Sequence, residues 1–232
     1  PDILVSTEWV ADCGNDPSVV VAEVNTDLEE EYAKGHVPGA VGWGLHVDLE
    51  DQVRRDVPGV AQIEAVLGRS GIDNATTVVL YGDGNNRSAT WAFWVLKYYR
   101  HEDVRLMNGG RTKWVAEGRP LSTEVPTPAV TTYKAAVPDR TLRAMKEYVV
   151  ENLRNPTVVP LDTRTHEEYA GQLVSAPGTP QPDIYRKGRI PGAVHAPWDD
   201  GAAEDGSFKP VHELREMYES KGLDPSKEVI TY

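Results

Sequence analysis

The sequence predicts a duplicated α/β protein: two tandem domains, each a mainly parallel sheet flanked by helices. Three observations carry this. Short valine-rich runs alternate with helical stretches, the pattern of a parallel sheet with crossover helices. The same blocks recur in the same order in both halves. The chain has 232 residues, 40% of them hydrophobic and 26% charged, an ordinary globular composition with room for two small domains.

The elements follow in order. Ser6 is placed as the N-cap of a first helix through Thr7, Trp9, Val10 and Cys13. Residues 19–24 and 78–81 read as buried strands, 61–71 and 89–99 as helices, and 104–106 as a short strand. A closing segment, Asn108-Gly109-Gly110-Arg111 with Trp114, ends at Gly118-Arg119-Pro120.

The repeat rests on three blocks. Val19-Val20-Val21-Ala22-Glu23 is followed by Glu30-Glu31-Tyr32 and Gly35-His36-Val37-Pro38-Gly39-Ala40-Val41. Val158-Val159-Pro160-Leu161-Asp162 is followed by Glu167-Glu168-Tyr169 and Gly188-Arg189-Ile190-Pro191-Gly192-Ala193-Val194. Gly71-Ile72-Asp73 through Val78-Val79-Leu80-Tyr81 matches Gly222-Leu223-Asp224 through Val229-Ile230-Thr231-Tyr232. The second copy carries an insertion between Ala170 and Lys187, rich in Gly and Pro, which reads as an irregular surface loop. Residues 123–137, with Pro126, Pro128 and several threonines, read as an extended linker. The expected domains are therefore 1–122 and 138–232. The stretch Gly82 to Pro120 has no counterpart after Tyr232. The second domain is accordingly expected to be incomplete at its C-terminus, and the natural chain to continue.

Composition narrows the function. Lys and Arg number 24 against 36 Asp and Glu, a net charge of -12. This argues against nucleic acid or an anionic membrane as partner. No apolar run approaches the length of a membrane span, and no signal-peptide pattern opens the chain. One cysteine excludes an internal disulfide and a multi-cysteine zinc site. A reducing cytoplasm is the expected location. The six histidines show no metal-ligand spacing, so neither metal nor cofactor is expected. Gly82-x-Gly84 lacks the third glycine of a nucleotide loop, with Arg87 in its place.

These motifs, in order and duplicated, resemble the rhodanese family, specifically its tandem-domain sulfurtransferases. The resemblance implies a reaction. Sulfane sulfur moves from an anionic donor, thiosulfate or 3-mercaptopyruvate, to cyanide, a thiol or a thioredoxin-like protein. A cysteine persulfide is the carrier. In the family that cysteine opens a short loop after the strand that here ends at Tyr232, so the chain stops one residue before it and is expected to be inactive as it stands. Loop amides at a helix N-terminus favour the thiolate and the donor's charge.

Asp162 and Arg164 are expected to support that loop, Arg164 through backbone carbonyls or a carboxylate. Arg87, Arg186 and Arg189 are candidate anion-binding cations, each with a plain solvated reading beside it. Some tandem members place a donor-binding arginine where this chain has Glu168. In the first copy Gly82 takes the cysteine's place, Asp83 brings a negative charge, and Glu23-Val24-Asn25 replaces Asp162-Thr163-Arg164. The first domain is thus expected to be non-catalytic. Cys13 reads as a small buried hydrophobe. Two rivals stand beside this reading: a non-catalytic binding or regulatory module, and a phosphatase-like or arsenate-reducing relative.

Overall fold

A computed structural model of the chain describes residues 3–54, 56–175 and 186–232. Most of the loop expected between Ala170 and Lys187 lies outside the described residues. The chain divides into two compact units. The first comprises Pro1–Leu142 and Glu204–Ser207, the second Arg143–Ala203 and Phe208–Tyr232.

The first unit runs β1 (Leu4–Val5), α1 (Thr7–Cys13), β2 (Val19–Asn25), β3 (Val41–Gly44), α2 (Leu45–Asp48), α3 (Val60–Arg69), β4 (Thr77–Tyr81), α4 (Arg87–Tyr98), β5 (Val104–Met107) and α5 (Gly110–Ala116). Ser6 caps α1, its side chain accepting from the Trp9 N–H at 3.0 Å. The five strands pair parallel in the order β1-β5-β4-β2-β3. Side chains of a strand alternate between faces. Val21 and Val79 pack on one face with Val10, Met107 and Trp114. Ala22, Val24, Val78 and Leu80 point the opposite way and are also fully buried. A sheet covered on both faces explains why these strands are continuous apolar runs.

Two helices differ from expectation at their ends. α3 stops at Arg69, because Gly71 adopts φ +75°, outside the helical region. α4 begins two residues early, at Arg87. Residues 123–139 are extended and fastened to the first unit. Thr131 N–H donates to Gly68 O at 3.0 Å, Lys134 N–H to Asn74 Oδ1 at 3.0 Å, and Asp139 N–H to Tyr98 O at 2.7 Å.

The second unit runs α6 (Lys146–Asn152), β6 (Val158–Asp162), α7 (His166–Tyr169), β7 (Val194–His195), α8 (Val211–Ser220) and β8 (Glu228–Thr231). Its three strands pair parallel in the order β7-β6-β8. Its core is small: Leu161, Ala196 and Leu223, with Val159, Val194 and Tyr218 packed against them.

The duplication extends to single hydrogen bonds. Tyr32 Oη donates to Ala40 O at 2.7 Å, and Tyr169 Oη to Ala193 O at 3.1 Å. Each tyrosine ring carries a cationic or imidazole neighbour: His36 stacks on Tyr32 at 3.8 Å, and the Arg189 guanidinium lies 4.3 Å over Tyr169. The turn glycines Gly39 and Gly192 take φ +79° and +81°. Any residue with a Cβ would be strained there, so the Pro-Gly-Ala turn demands glycine in both copies.

Candidate active site

In a parallel sheet the ligand end is the carboxyl end of the strands. In the second unit β6 ends there with Asp162, and its partner β8 leads to Tyr232. Leu161 pairs with Thr231, so Asp162 and Tyr232 are the next residues of the ladder.

Asp162 is fully buried, and Arg164 wraps back onto it. The Arg164 backbone N–H and Nε each donate to Asp162 Oδ1 at 3.0 Å, and Nη2 donates to Oδ2 at 2.6 Å. Nη2 also donates to Gly188 O at 2.8 Å, fixing the turn that opens the second Pro-Gly-Ala block. Burial alone would raise the Asp162 pKa. The Arg164 fork, the Arg164 N–H and a hydrogen bond from Tyr232 outweigh it, and the carboxyl is held below its ordinary value. The hydrogen bond to Asp162 in turn raises Arg164.

The other sequence candidates have places of their own. Arg189 is committed to Tyr169, its Nη1 donating to Tyr169 O at 3.3 Å. Arg186 is exposed. Arg87 opens α4 in the first unit. Glu168, which stands where some relatives have a donor-binding arginine, has a local role: it closes a capping box with Thr165 at the start of α7. Thr165-x-x-Glu168 is a readable capping signature that the sequence reading passed over. Among the described residues no group of three or more His, Cys, Asp or Glu is placed to hold a metal ion.

The first unit has the same frame with different chemistry. Glu23 pairs with Tyr81 in the ladder, and its fully buried carboxylate accepts from the Tyr81 hydroxyl and from Asn25 Nδ2 at 2.7 Å. Its cation is Arg111, which reaches in from α5 with Nη1 at 3.1 Å. Sequence reading missed this pair because its members lie in motifs far apart in the chain.

The loop after β4 is collapsed. Gly84, Asn85 and Asn86 all take positive φ, 54°, 55° and 64°. Asn86 is buried, accepts from Gly82 N–H at 2.9 Å and donates to Met107 O at 2.8 Å. Asp83 N–H is taken by Asn25 Oδ1 at 3.1 Å. The Gly82 and Asp83 amides are thus both taken by asparagine side chains, one in the loop and one at the end of β2. Asp83 is no bare charge: Arg111 Nε lies 3.6 Å away, and burial raises its pKa. The obstacle to a nucleophile here is also steric. A Cβ at Gly82 would lie 2.4 Å from Val24 O. Gly82→Cys is therefore expected to cost about 1–3 kcal/mol by overpacking and to bring no sulfur-transfer activity. A urea midpoint and a thiocyanate assay check both halves.

Two parallel sheets with matched strand-end carboxylates and matched Pro-Gly-Ala turns define a duplicated rhodanese-like protein. The chain belongs to that family: the Rhodanese-like domain matches residues 6–117 and 145–232. It is 42% identical over 231 residues to "Putative thiosulfate sulfurtransferase" of Saccharopolyspora erythraea, covering 100% of this chain and 81% of the relative. It is 43% identical over 235 residues to "Sulfur carrier protein TtuD" of Thermus thermophilus, covering 100% and 82%. Among solved structures it resembles the anaerobic ergothioneine biosynthesis enzyme of Chlorobium limicola bound to trimethyl histidine, with TM-score 0.83 and 25% identity, over 99% of this chain. It also resembles an EanB structure with ergothioneine covalently linked to a persulfide cysteine, with TM-score 0.84 and 26% identity. The chain spans 60% of the length of each of these solved chains. Among the described residues no helix is long and apolar enough to cross a membrane.

Proposed function

We propose that this chain is the frame of a sulfurtransferase that carries sulfane sulfur as a cysteine persulfide, the cysteine being the first residue after Tyr232. Its relatives over the whole chain bear the names thiosulfate sulfurtransferase and sulfur carrier protein. The observation that carries the reading is the Asp162–Arg164–Gly188 fork at the carboxyl end of β6, beside the strand that leads to the expected nucleophile. Asp162 and Arg164 act as positioning groups. The fork satisfies a buried carboxylate and holds the turn at Gly188.

The thiolate attacks the outer sulfur of thiosulfate, the donor's sulfur–sulfur bond breaks, and sulfite leaves with the electron pair. A thiophilic acceptor (cyanide, a small thiol or a thioredoxin-like thiol) then attacks the terminal persulfide sulfur and releases the thiolate. With 3-mercaptopyruvate the thiolate would attack the donor's sulfur, the carbon–sulfur bond would break, and the leaving enolate would take up the thiol proton to become pyruvate. The cytoplasm, with its thiol pool, is the setting that fits this acceptor chemistry.

The test is the full gene product incubated with thiosulfate. A mass gain of about 32 Da, one sulfur atom, lost on adding cyanide with release of thiocyanate, is the expected result. Absence of both the mass gain and thiocyanate, with thiosulfate and with 3-mercaptopyruvate alike, would sink the proposal and leave a non-catalytic binding module.

A further inference from the structure

We propose that Tyr232 is a positioning residue for sulfur transfer, its phenol joining buried Asp162 to the 188–192 turn and so setting the direction in which the chain leaves β8. The inference rests on the sulfur-transfer reading above and deepens it.

Tyr232 is held at both ends. Its hydroxyl accepts from the Ile190 N–H at 2.9 Å and hydrogen-bonds the Asp162 carboxylate. Its ring lies under the Arg164 guanidinium, 5.4 Å from centroid to carbon. Its backbone N–H donates to Leu161 O at 3.1 Å, and its carbonyl accepts from Thr163 N–H at 3.1 Å and Thr163 Oγ1 at 2.9 Å. A residue clamped at its side chain, its N–H and its carbonyl leaves its successor little freedom. Burial raises the phenol above its ordinary value, so it stays a donor to Asp162 at neutral pH.

The first unit holds the same device without the chemistry. Tyr81 Oη accepts from the Val37 N–H at 2.8 Å and donates to Glu23. The successor of Tyr81 is Gly82, seated where no Cβ fits. A purely structural role predicts equal consequences for the two tyrosines. A positioning role predicts consequences for catalysis at Tyr232 alone, because displacing a reacting atom by about 1 Å can cost about 100-fold in rate.

Tyr232→Phe and Tyr81→Phe in the full gene product separate these cases. Both should lower the urea midpoint. Tyr232→Phe should lower kcat for thiosulfate cyanolysis by about 10- to 100-fold with KM within about threefold, while Tyr81→Phe keeps both within about twofold. Single-turnover persulfide formation guards against partial unfolding: misfolded molecules reduce its amplitude, whereas misplacement slows its rate. An unchanged single-turnover rate in Tyr232→Phe, or an equal slowing in both variants, overturns the proposal. A wild-type protein that forms no persulfide overturns the sulfur-transfer reading itself and this inference with it.

Discussion

Arg111→Met is expected to destabilise the first unit by about 3 kcal/mol at neutral pH, and by much less near pH 4. Glu23 is fully buried, and among the described residues its cationic partner is Arg111. Burial raises the Glu23 pKa; the Tyr81 hydrogen bond and Arg111 pull it back, Asp83 pushes it up, and it stays above its ordinary value. A carboxyl raised in the folded state holds its proton there after the unfolded chain has lost it. Folded protein then binds more protons, and stability falls as pH rises from about 4.5 through the raised value. Without Arg111 that value rises further and the window widens, so the variant's deficit grows with pH. Five of the six tryptophans, Trp9, Trp43, Trp91, Trp94 and Trp114, lie in the first unit, so fluorescence during urea unfolding reports on it. Adding Glu23→Gln should recover a large part of the loss. A deficit that ignores both pH and Glu23→Gln would mean that Arg111 acts by packing.

What was legible was local. The valine runs around Val21 and Val79 announce a sheet buried on both faces, and Pro-Gly-Ala-Val announces its turn twice. Ser6 announces a helix start. What was hidden depends on contacts distant in sequence. β1 is two residues long, too short for any periodicity, and is placed only by its ladder with β5. Arg111 stood in a recognisable motif, yet nothing near it names Glu23 as its partner. The replacement of Asp162 and Arg164 by Glu23 and Asn25 looked like loss of the carboxylate–arginine pair. The structure shows the pair rebuilt with a cation from α5. Gly82 read as a missing cysteine, but only the backbone reveals the Val24 carbonyl that closes the position.

The Glu23–Arg111 and Asp162–Arg164 pairs shift their carboxyls in opposite directions. Arg164→Met is expected to cost the second unit about 3 kcal/mol at neutral pH. In the intact protein Asp162 lies below its ordinary value, since the Arg164 and Tyr232 hydrogen bonds overcome burial. Its contribution is therefore fully present above about pH 3.8 and is lost as pH falls through the depressed folded value, the reverse of Glu23. Removing Arg164 takes away both side-chain donors and the cation, and leaves burial dominant. The Asp162 carboxyl should then move above its ordinary value and the pH slope should invert, with the deficit shrinking in acid. Arg164→Lys keeps a charge but not the planar fork that reaches both Asp162 oxygens and Gly188 O, and should recover less than half. Hydrogen exchange of the β6 amides localises the effect. The small core of Leu161, Ala196 and Leu223 means the same loss is a larger share of this unit's stability than in the first. If exchange in β6 is unchanged, or the deficit holds constant from about pH 7 down to about pH 3, the fork is not what keeps a buried charge at the end of β6.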